Sequence, residues 1–162
     1  MRTIYFDYNA TTPLDPAVKE AMLPFLDEIY GNPSSVHHVG RRARSLLDDA
    51  RDRVANVWRC KPSEIVFTSG GTESNNLAIF GAARHLRSKG KHIVTSAIEH
   101  HAVLHCCDYL QKYEGFEITR LPVTPDGFVT VESFRAALRP DTILASIMTA
   151  NNETGTFNQW PN

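Results

Sequence analysis

With 162 residues, 42% of them hydrophobic, the chain can bury a core and is expected to form an ordinary globular domain. Its 17 basic and 18 acidic side chains leave a net charge of -1, which argues against the broad positive field of a nucleic-acid binder or of a protein held on an acidic membrane. No stretch approaches a membrane span, no basic start followed by an apolar run opens the chain, and Cys60, Cys106 and Cys107 lack C-x-x-C spacing, so free thiols in a reducing, cytoplasmic compartment are expected.

Ile4 to Tyr8 reads as a short strand that ends at Asn9-Ala10-Thr11-Thr12-Pro13. Asp15-Pro16 is an N-cap followed by proline at the first helical position, so a helix is predicted over 16–28, with Val18, Met22, Phe25 and Leu26 on its apolar face. Gly31-Asn32-Pro33-Ser34-Ser35 is a turn-rich loop, and residues 38–58 form a long amphipathic helix whose Arg and Asp run is a solvated face. Next, Ile65 to Thr68 has strand composition, breaks at Ser69-Gly70-Gly71 and restarts as a helix at Thr72, which can cap it. Glycines and the unpaired amides of a first helical turn suit an anion such as phosphate, but a tight connection explains the same residues. The spacing is neither G-x-G-x-x-G nor a nucleotide P-loop.

Beyond it the pattern alternates: a strand near 92–95, a helix over 102–113, a strand near 116–121, a helix over 131–138 and a strand over 142–148. This predicts an α/β three-layer sandwich with a mostly parallel sheet. In such sheets ligand chemistry gathers in the loops at the carboxyl ends of strands, which would bring Ser69 to Thr72, Glu99 to His101 and Asn151 to Glu153 to one rim. His100 could stack on a planar cofactor, move a proton, or be a loop histidine without chemical consequence. Asn151-Asn152-Glu153 is either a ligand-binding cluster or an Asn-rich turn. His101, His105, Cys106 and Cys107 invite a metal reading, yet no second ligand pair accompanies them, so no metal is expected and the thiols are read as packing groups.

Five stretches together resemble the cysteine desulfurases, class V aminotransferase-like enzymes that use pyridoxal 5'-phosphate. They are 5–13 (Tyr-Phe-Asp-Tyr-Asn-Ala-Thr-Thr-Pro), 30–35 (Tyr-Gly-Asn-Pro-Ser-Ser), 64–79 around Gly70-Gly71-Thr72, 99–103 (Glu-His-His-Ala-Val) and 151–155 (Asn-Asn-Glu-Thr-Gly). The resemblance implies a fold type I large domain, cut short, over 16–162 after an N-terminal segment 1–15. It implies that Gly71 and Thr72 hold the cofactor phosphate, that His100 stacks on the pyridine ring with acid-base duties, and that Asn152, with Asn151 beside it, lies near the cofactor's phenolic oxygen. Asn9, Ala10 and Asn32 fall in segments that line the substrate side. The implied reaction turns L-cysteine into alanine while an enzyme cysteine takes the sulfur as a persulfide for an acceptor protein, as in iron-sulfur cluster assembly, within a homodimer.

Similar proteins are roughly twice this length or more, and the segments that carry their Schiff-base lysine and nucleophilic cysteine have no match here. Lys19, Lys61, Lys89, Lys91 and Lys112 lack that lysine's context, and Cys60, Cys106 and Cys107 do not match the catalytic cysteine. A premature end, a frameshift or a deliberately shortened chain would explain the close at Thr156 to Asn162. The expectation is therefore the N-terminal portion of a desulfurase, inactive alone, with roughly four strands of a larger sheet and an uncovered edge. A selenocysteine lyase, an aminotransferase of the same fold, or a non-catalytic binding or dimerisation module are the alternatives.

Overall fold

The computed structural model describes residues 3–158. The chain divides into two compact units, one ending at Phe67 and the other beginning at Thr68. This boundary differs from the one expected at residue 15. The helix opened at Asp15-Pro16 groups with the chain up to Phe67, so it does not begin the sheet-bearing unit.

In the first unit, α1 (Pro16–Leu26) is capped by the Asp15 carboxylate, which accepts the Ala17 N–H at 2.8 Å, and proline opens it. It stops two residues short of the predicted end, after the internal Pro24. Helix α2 (His38–Trp58) has the predicted span. Its N-terminus packs so closely on the preceding turn that a Cβ at Gly40 would lie 2.5 Å from the Ser35 carbonyl oxygen, and it ends at Arg59 in the left-handed conformation (φ 54°). The exposed pairs Arg44–Asp48 and Arg53–Asp49 span one turn each, as a solvated charged face requires. A 3-10 turn (Pro62–Glu64) comes next, and Arg51 donates to the Ile65 carbonyl while stacking 4.8 Å from the Phe67 ring centroid.

Two expected strands are absent. Residues 4–8 give way to a turn in which Ala10 N donates to Asp7 O (3.1 Å), and Ile65 to Thr68 pairs with no strand among the described residues. β-branched composition favours extended backbone, but a strand also needs a neighbour to accept its hydrogen bonds.

The second unit holds the sheet. Its elements run α3 (Gly71–Leu86), β1 (His92–Ser96), α4 (His101–Glu114), β2 (Glu117–Leu121), α5 (Val131–Ala137) and β3 (Thr142–Ser146). Among the described residues the sheet has three strands in the order β2-β1-β3, all parallel, not the four expected. Every residue of β1 is buried. Ile93 packs on one face with Ile79 and Ala83 of α3, Val103, Cys106, Cys107 and Leu110 of α4, and Phe116; Val94 packs on the other with Leu121, Val129 and, from α5, Phe134 and Ala137. Helices thus cover both faces of a parallel sheet, the layered α/β arrangement expected, at about 1.5–3 kcal/mol for each large side chain buried.

At the amino end of β1, His92 is fully buried and bridges its neighbours: Nδ1 lies 2.7 Å from Thr142 Oγ1 of β3 and Nε2 2.8 Å from Thr119 Oγ1 of β2. Burial, then the nearby Arg139 guanidinium, hold its pKa below the ordinary value of 6.5, against the opposing pull of Asp141 and Glu117.

Since the unfolded chain then protonates His92 before the folded one does, its contribution to stability is complete above about pH 6.5 and fades as pH falls toward the folded value. Urea midpoints should decline from pH 7 to 5 more steeply in the native chain than in His92→Gln, and equal slopes would remove His92 from the account. Gly90 and Gly81 offer a second comparison. A Cβ at Gly90 would lie 2.2 Å from the Asp141 carbonyl oxygen, whereas at Gly81, inside α3, it would meet nothing within 4 Å. Gly90→Ala should cost about 1–3 kcal/mol and Gly81→Ala should gain up to about 1 kcal/mol in the same urea titrations.

Candidate functional site

Parallel pairing of β1 with β3 brings the carboxyl ends of both strands to the same rim, so residues 97–100 and 147–155 emerge side by side. Three hydrogen bonds join the loops or hold their shape. Glu99 Oε1 accepts the Met148 N–H at 2.5 Å and the Ser96 hydroxyl at 2.9 Å, and Asn151 Nδ2 donates to the Ile98 carbonyl at 3.0 Å. Glu99 and Asn151 are each only 8% exposed. Burial raises the pKa of the Glu99 carboxyl, while the Met148 and Ser96 hydrogen bonds pull it back down.

The next residue in each loop faces outward. His100 is exposed and caps α4: its Nδ1 accepts the Ala102 N–H at 3.0 Å, which leaves the proton of the neutral ring on Nε2. Asn152 is exposed and makes no side-chain hydrogen bond among the described residues. Both line one cavity of about 340 Å³, together with Glu99, His101, Leu104 and Asn151. An imidazole with a free N–H beside a free carboxamide can take a planar polar ligand, with the ring stacked or the proton shared.

Asn151 behaves differently from its neighbour. Its Oδ1 accepts the Glu153 and Thr154 N–H groups at 2.9 Å each, and its Nδ2 also lies 3.4 Å from Met148 Sδ, so the amide is occupied by protein partners. It holds the turn that presents Asn152. Asn158, which the sequence did not single out, anchors the far end of the same loop: it is 3% exposed, accepts the Val129 N–H at 2.9 Å and donates to the Met148 carbonyl at 2.8 Å. Nothing in its local sequence distinguishes it from a tail residue, and Gln159 to Asn162 lie outside the described residues.

The start of α3 is arranged otherwise than expected. Gly70, in extended backbone, is the N-cap, and no side chain caps the helix, so Thr72 does not have that role. Instead the Glu73 carboxylate folds back to accept the Ser69 N–H and hydroxyl, both at 2.6 Å, which lowers its pKa. A Cβ at Gly70 or Gly71 would meet nothing within 4 Å, so no described residue demands glycine there. Thr72 is exposed and lines a second cavity, between α3 and α4, with Asn76, Ala102, His105 and Tyr109. Thr72 therefore does not share the cavity of His100 and Asn152; the first turn of α4 stands between the two cavities, with Ala102 on one side and His100 and His101 on the other.

Asn9, Ala10 and Asn32 belong to the first unit and are exposed; Asn32 Oδ1 accepts the Ser34 N–H at 2.9 Å. Cys106 and Cys107 are buried in the α4 interface. The Cys106 thiol donates to the Ala102 carbonyl at 3.0 Å, and burial raises its pKa and pushes that of Cys107 up to about 11, so neither is a thiolate near neutral pH. The exposed rings of His101 and His105 stand 5.3 Å apart, centroid to centroid, but among the described residues no three His, Cys, Asp or Glu side chains are grouped to hold a metal ion. No described helix is long and apolar enough to cross a membrane.

Comparison with known proteins adds the family. The profile of the family Aminotransferase class-V matches residues 4–162. The cysteine desulfurase IscS of Dictyoglomus turgidum is 59% identical over 156 residues, which is 96% of this chain and 39% of that protein. The human cysteine desulfurase is 49% identical over 96% of this chain and 34% of its own length. Among solved structures, a NifS-like protein superposes with a TM-score of 0.91 at 43% identity, over 96% of this chain and 42% of that one. A structure described as SspA in complex with cysteine gives 0.89 at 40% identity, over 96% of this chain and 45% of that one. The chain thus spans about two fifths of the length of the Dictyoglomus relative.

The contrast between the two asparagines is measurable. Asn151→Ala should lower stability by about 1–3 kcal/mol, because it orphans buried donors and acceptors, whereas Asn152→Ala should stay within about 0.5 kcal/mol. Comparable losses in thermal or urea unfolding would mean that the division of labour assigned to them is wrong.

Proposed function

Given that this chain belongs to the class-V aminotransferase family, we propose that it is the N-terminal portion of a pyridoxal-phosphate-dependent cysteine desulfurase, carrying part of the cofactor site. The observation that carries the reading is the meeting of His100 and Asn152 in one cavity at the carboxyl ends of β1 and β3. Its substrate would be L-cysteine, its product alanine, and its sulfur would pass to an acceptor protein.

The residues fit the cofactor in two respects. Gly71 and Thr72 open α3, where backbone N–H groups have no intrahelical acceptor, and the space beside Gly70 and Gly71 is open for a phosphate to approach the backbone. Across the start of α4, His100 offers a ring face and an Nε2 proton, and Asn152 a carboxamide. The cofactor, when bound, supplies the electron sink that makes the bonds at the amino acid's Cα labile. This chain's part is to bind and orient. The first turn of α3 would hold the phosphate, His100 would stack on the ring and hold or pass a proton at Nε2, and Asn152 would hydrogen-bond the ring's oxygen side. Because the Ala102 N–H engages Nδ1, the ring cannot pivot freely or exchange tautomers without losing the helix cap.

Turnover of cysteine is not assigned to these residues alone. Lys19, Lys61, Lys89, Lys91 and Lys112 lack the context of a Schiff-base lysine, and the buried α4 thiols are protonated. The purified chain should bind pyridoxal phosphate weakly and reversibly, with competition from inorganic phosphate, and His100→Ala and Asn152→Ala should weaken that binding by about tenfold each. It should release no sulfide from cysteine until mixed with the C-terminal remainder of the Dictyoglomus relative. A borohydride-stable adduct on any of its own lysines, or sulfide release by the chain alone, would refute this assignment.

A further inference from the structure

We propose that Glu99 is a positioning residue for this site: its carboxylate, bound at once to Ser96 and Met148, sets where the His100 ring stands relative to Asn152. The inference rests on reading His100 and Asn152 as the cofactor-facing pair, and its test is built to succeed or fail apart from that reading.

Glu99 lies between a strand end and a helix start. Ser96 is the last residue of β1, and its hydroxyl reaches Glu99 Oε1 at 2.9 Å; Met148 lies two residues beyond the end of β3, and its N–H reaches the same oxygen at 2.5 Å. One atom therefore joins the ends of two adjacent strands. The residue after Glu99 is His100, whose Nδ1 is in turn fixed by Ala102 N at 3.0 Å. The ring is held from both sides, by the clasp at residue 99 and by the first turn of α4. The second loop is held to the first by the same clasp at Met148 and by Asn151 on Ile98.

The clasp needs an acceptor oxygen at residue 99, and charge strengthens it. A carboxylate accepts hydrogen bonds roughly twice as strongly as a neutral carboxyl group, and both donors converge on one oxygen. Burial works against the charge, so the clasp sits closer to its titration than a surface carboxylate would. The ionisable groups around it are Cys107 of α4, which feels the Glu99 charge and is itself protonated, and His100, His101 and Glu153, which line the same cavity. An acid with a purely packing role would show none of the coupling between the two loops that this arrangement requires.

The experiment uses the full chain, labelled with nitrogen-15 and without cofactor, titrated from roughly pH 8 to pH 4 across the carboxylate range. The backbone amides of Met148 and Ala102 and the Asn151 side-chain amide should share one titrating component, with a midpoint above that of an exposed glutamate. Glu99→Gln keeps an acceptor oxygen without the charge; it should abolish that component and hold the three signals at pH-independent positions, closer to those of the native chain than to those of Glu99→Ala. Glu99→Ala should displace all three, and Ser96→Ala, which removes one donor, should displace them part of the way if Glu99→Ala does not fold. Pyridoxal-phosphate affinity, measured separately, should fall about tenfold in Glu99→Ala and stay within about twofold in Glu99→Gln. The proposal is overturned if Ala102 and Asn151 do not move with Met148, or if Glu99→Gln disturbs the signals as Glu99→Ala does. Absence of pyridoxal-phosphate binding in every variant would count against the functional reading and leave the magnetic-resonance arm to decide the role of Glu99.

Discussion

The structure depends on β1 being paired along both edges and covered on both faces. A strand so placed has no solvent to fall back on, and each of its backbone groups must find a partner in β2 or β3. Its side chains must also divide between two layers, as Ile93 and Val94 do. Even its polar residues are enlisted: His92 bridges two threonines, and the Thr95 hydroxyl donates to the Ser146 carbonyl at 2.9 Å. Because all three strands run the same way, this demand also orders the chemistry. The loops leaving β1 and β3 must emerge together, and they carry Glu99-His100 and Asn151-Asn152.

Each of those pairs divides its labour in the same manner. The first member is buried and occupied by protein groups; the second is exposed and lines the cavity with its amide or imidazole N–H available. Preorganisation of this kind places the entropic cost of ordering in the folded loop, where buried hydrogen bonds offset it, before any ligand arrives. The start of α3 lacks such bracing. Glu73 returns to Ser69, both groups are exposed, and Thr72 opens into a different cavity, so the proposed phosphate contact is the less organised part of the site.

Periodicity told most where burial is its direct consequence. The span of α2, the alternation from β1 to β3 and the layered parallel sheet could be read because helical and extended segments expose different repeats of apolar residues. It misled at residues 4–8 and 65–68, where β-forming composition met no partner strand, since pairing is a property of two segments and composition of one. At the site, turn residues after strands located the two loops, and the family motifs singled out His100 and Asn152. Residue type alone did not separate Asn151, which builds the turn, from Asn152, which lines the cavity with a free amide; adjacent identical residues carry no local signal of which one the protein occupies. Asn158 was passed over, and Glu99, placed at the rim with its loop, was given no role of its own, for a related reason. A buried acid and a buried amide look in sequence like any polar loop residue, and only the three-dimensional register shows that each spans two distant backbone groups.

The first unit shows the same limit from the apolar side. The predicted stripe of α1 exists as a helical face, yet Val18, Met22, Phe25 and Leu26 are 47%, 45%, 50% and 75% exposed, and α1 has no buried residue. Hydrophobic spacing of this kind specifies that a face should be covered without saying by what. In this unit the described residues supply no cluster comparable to those on either side of β1, whose members all lie beyond Phe67. A folded chain with this much uncovered apolar surface is poised for association, because each large side chain withdrawn from water would contribute about 1.5–3 kcal/mol. The related desulfurases, of which this chain matches about two fifths, contain enough further polypeptide to supply such cover. In the sheet-bearing unit β1 is covered on both faces, and so the loops at its carboxyl end can be ordered while the apolar face of α1 stays largely exposed.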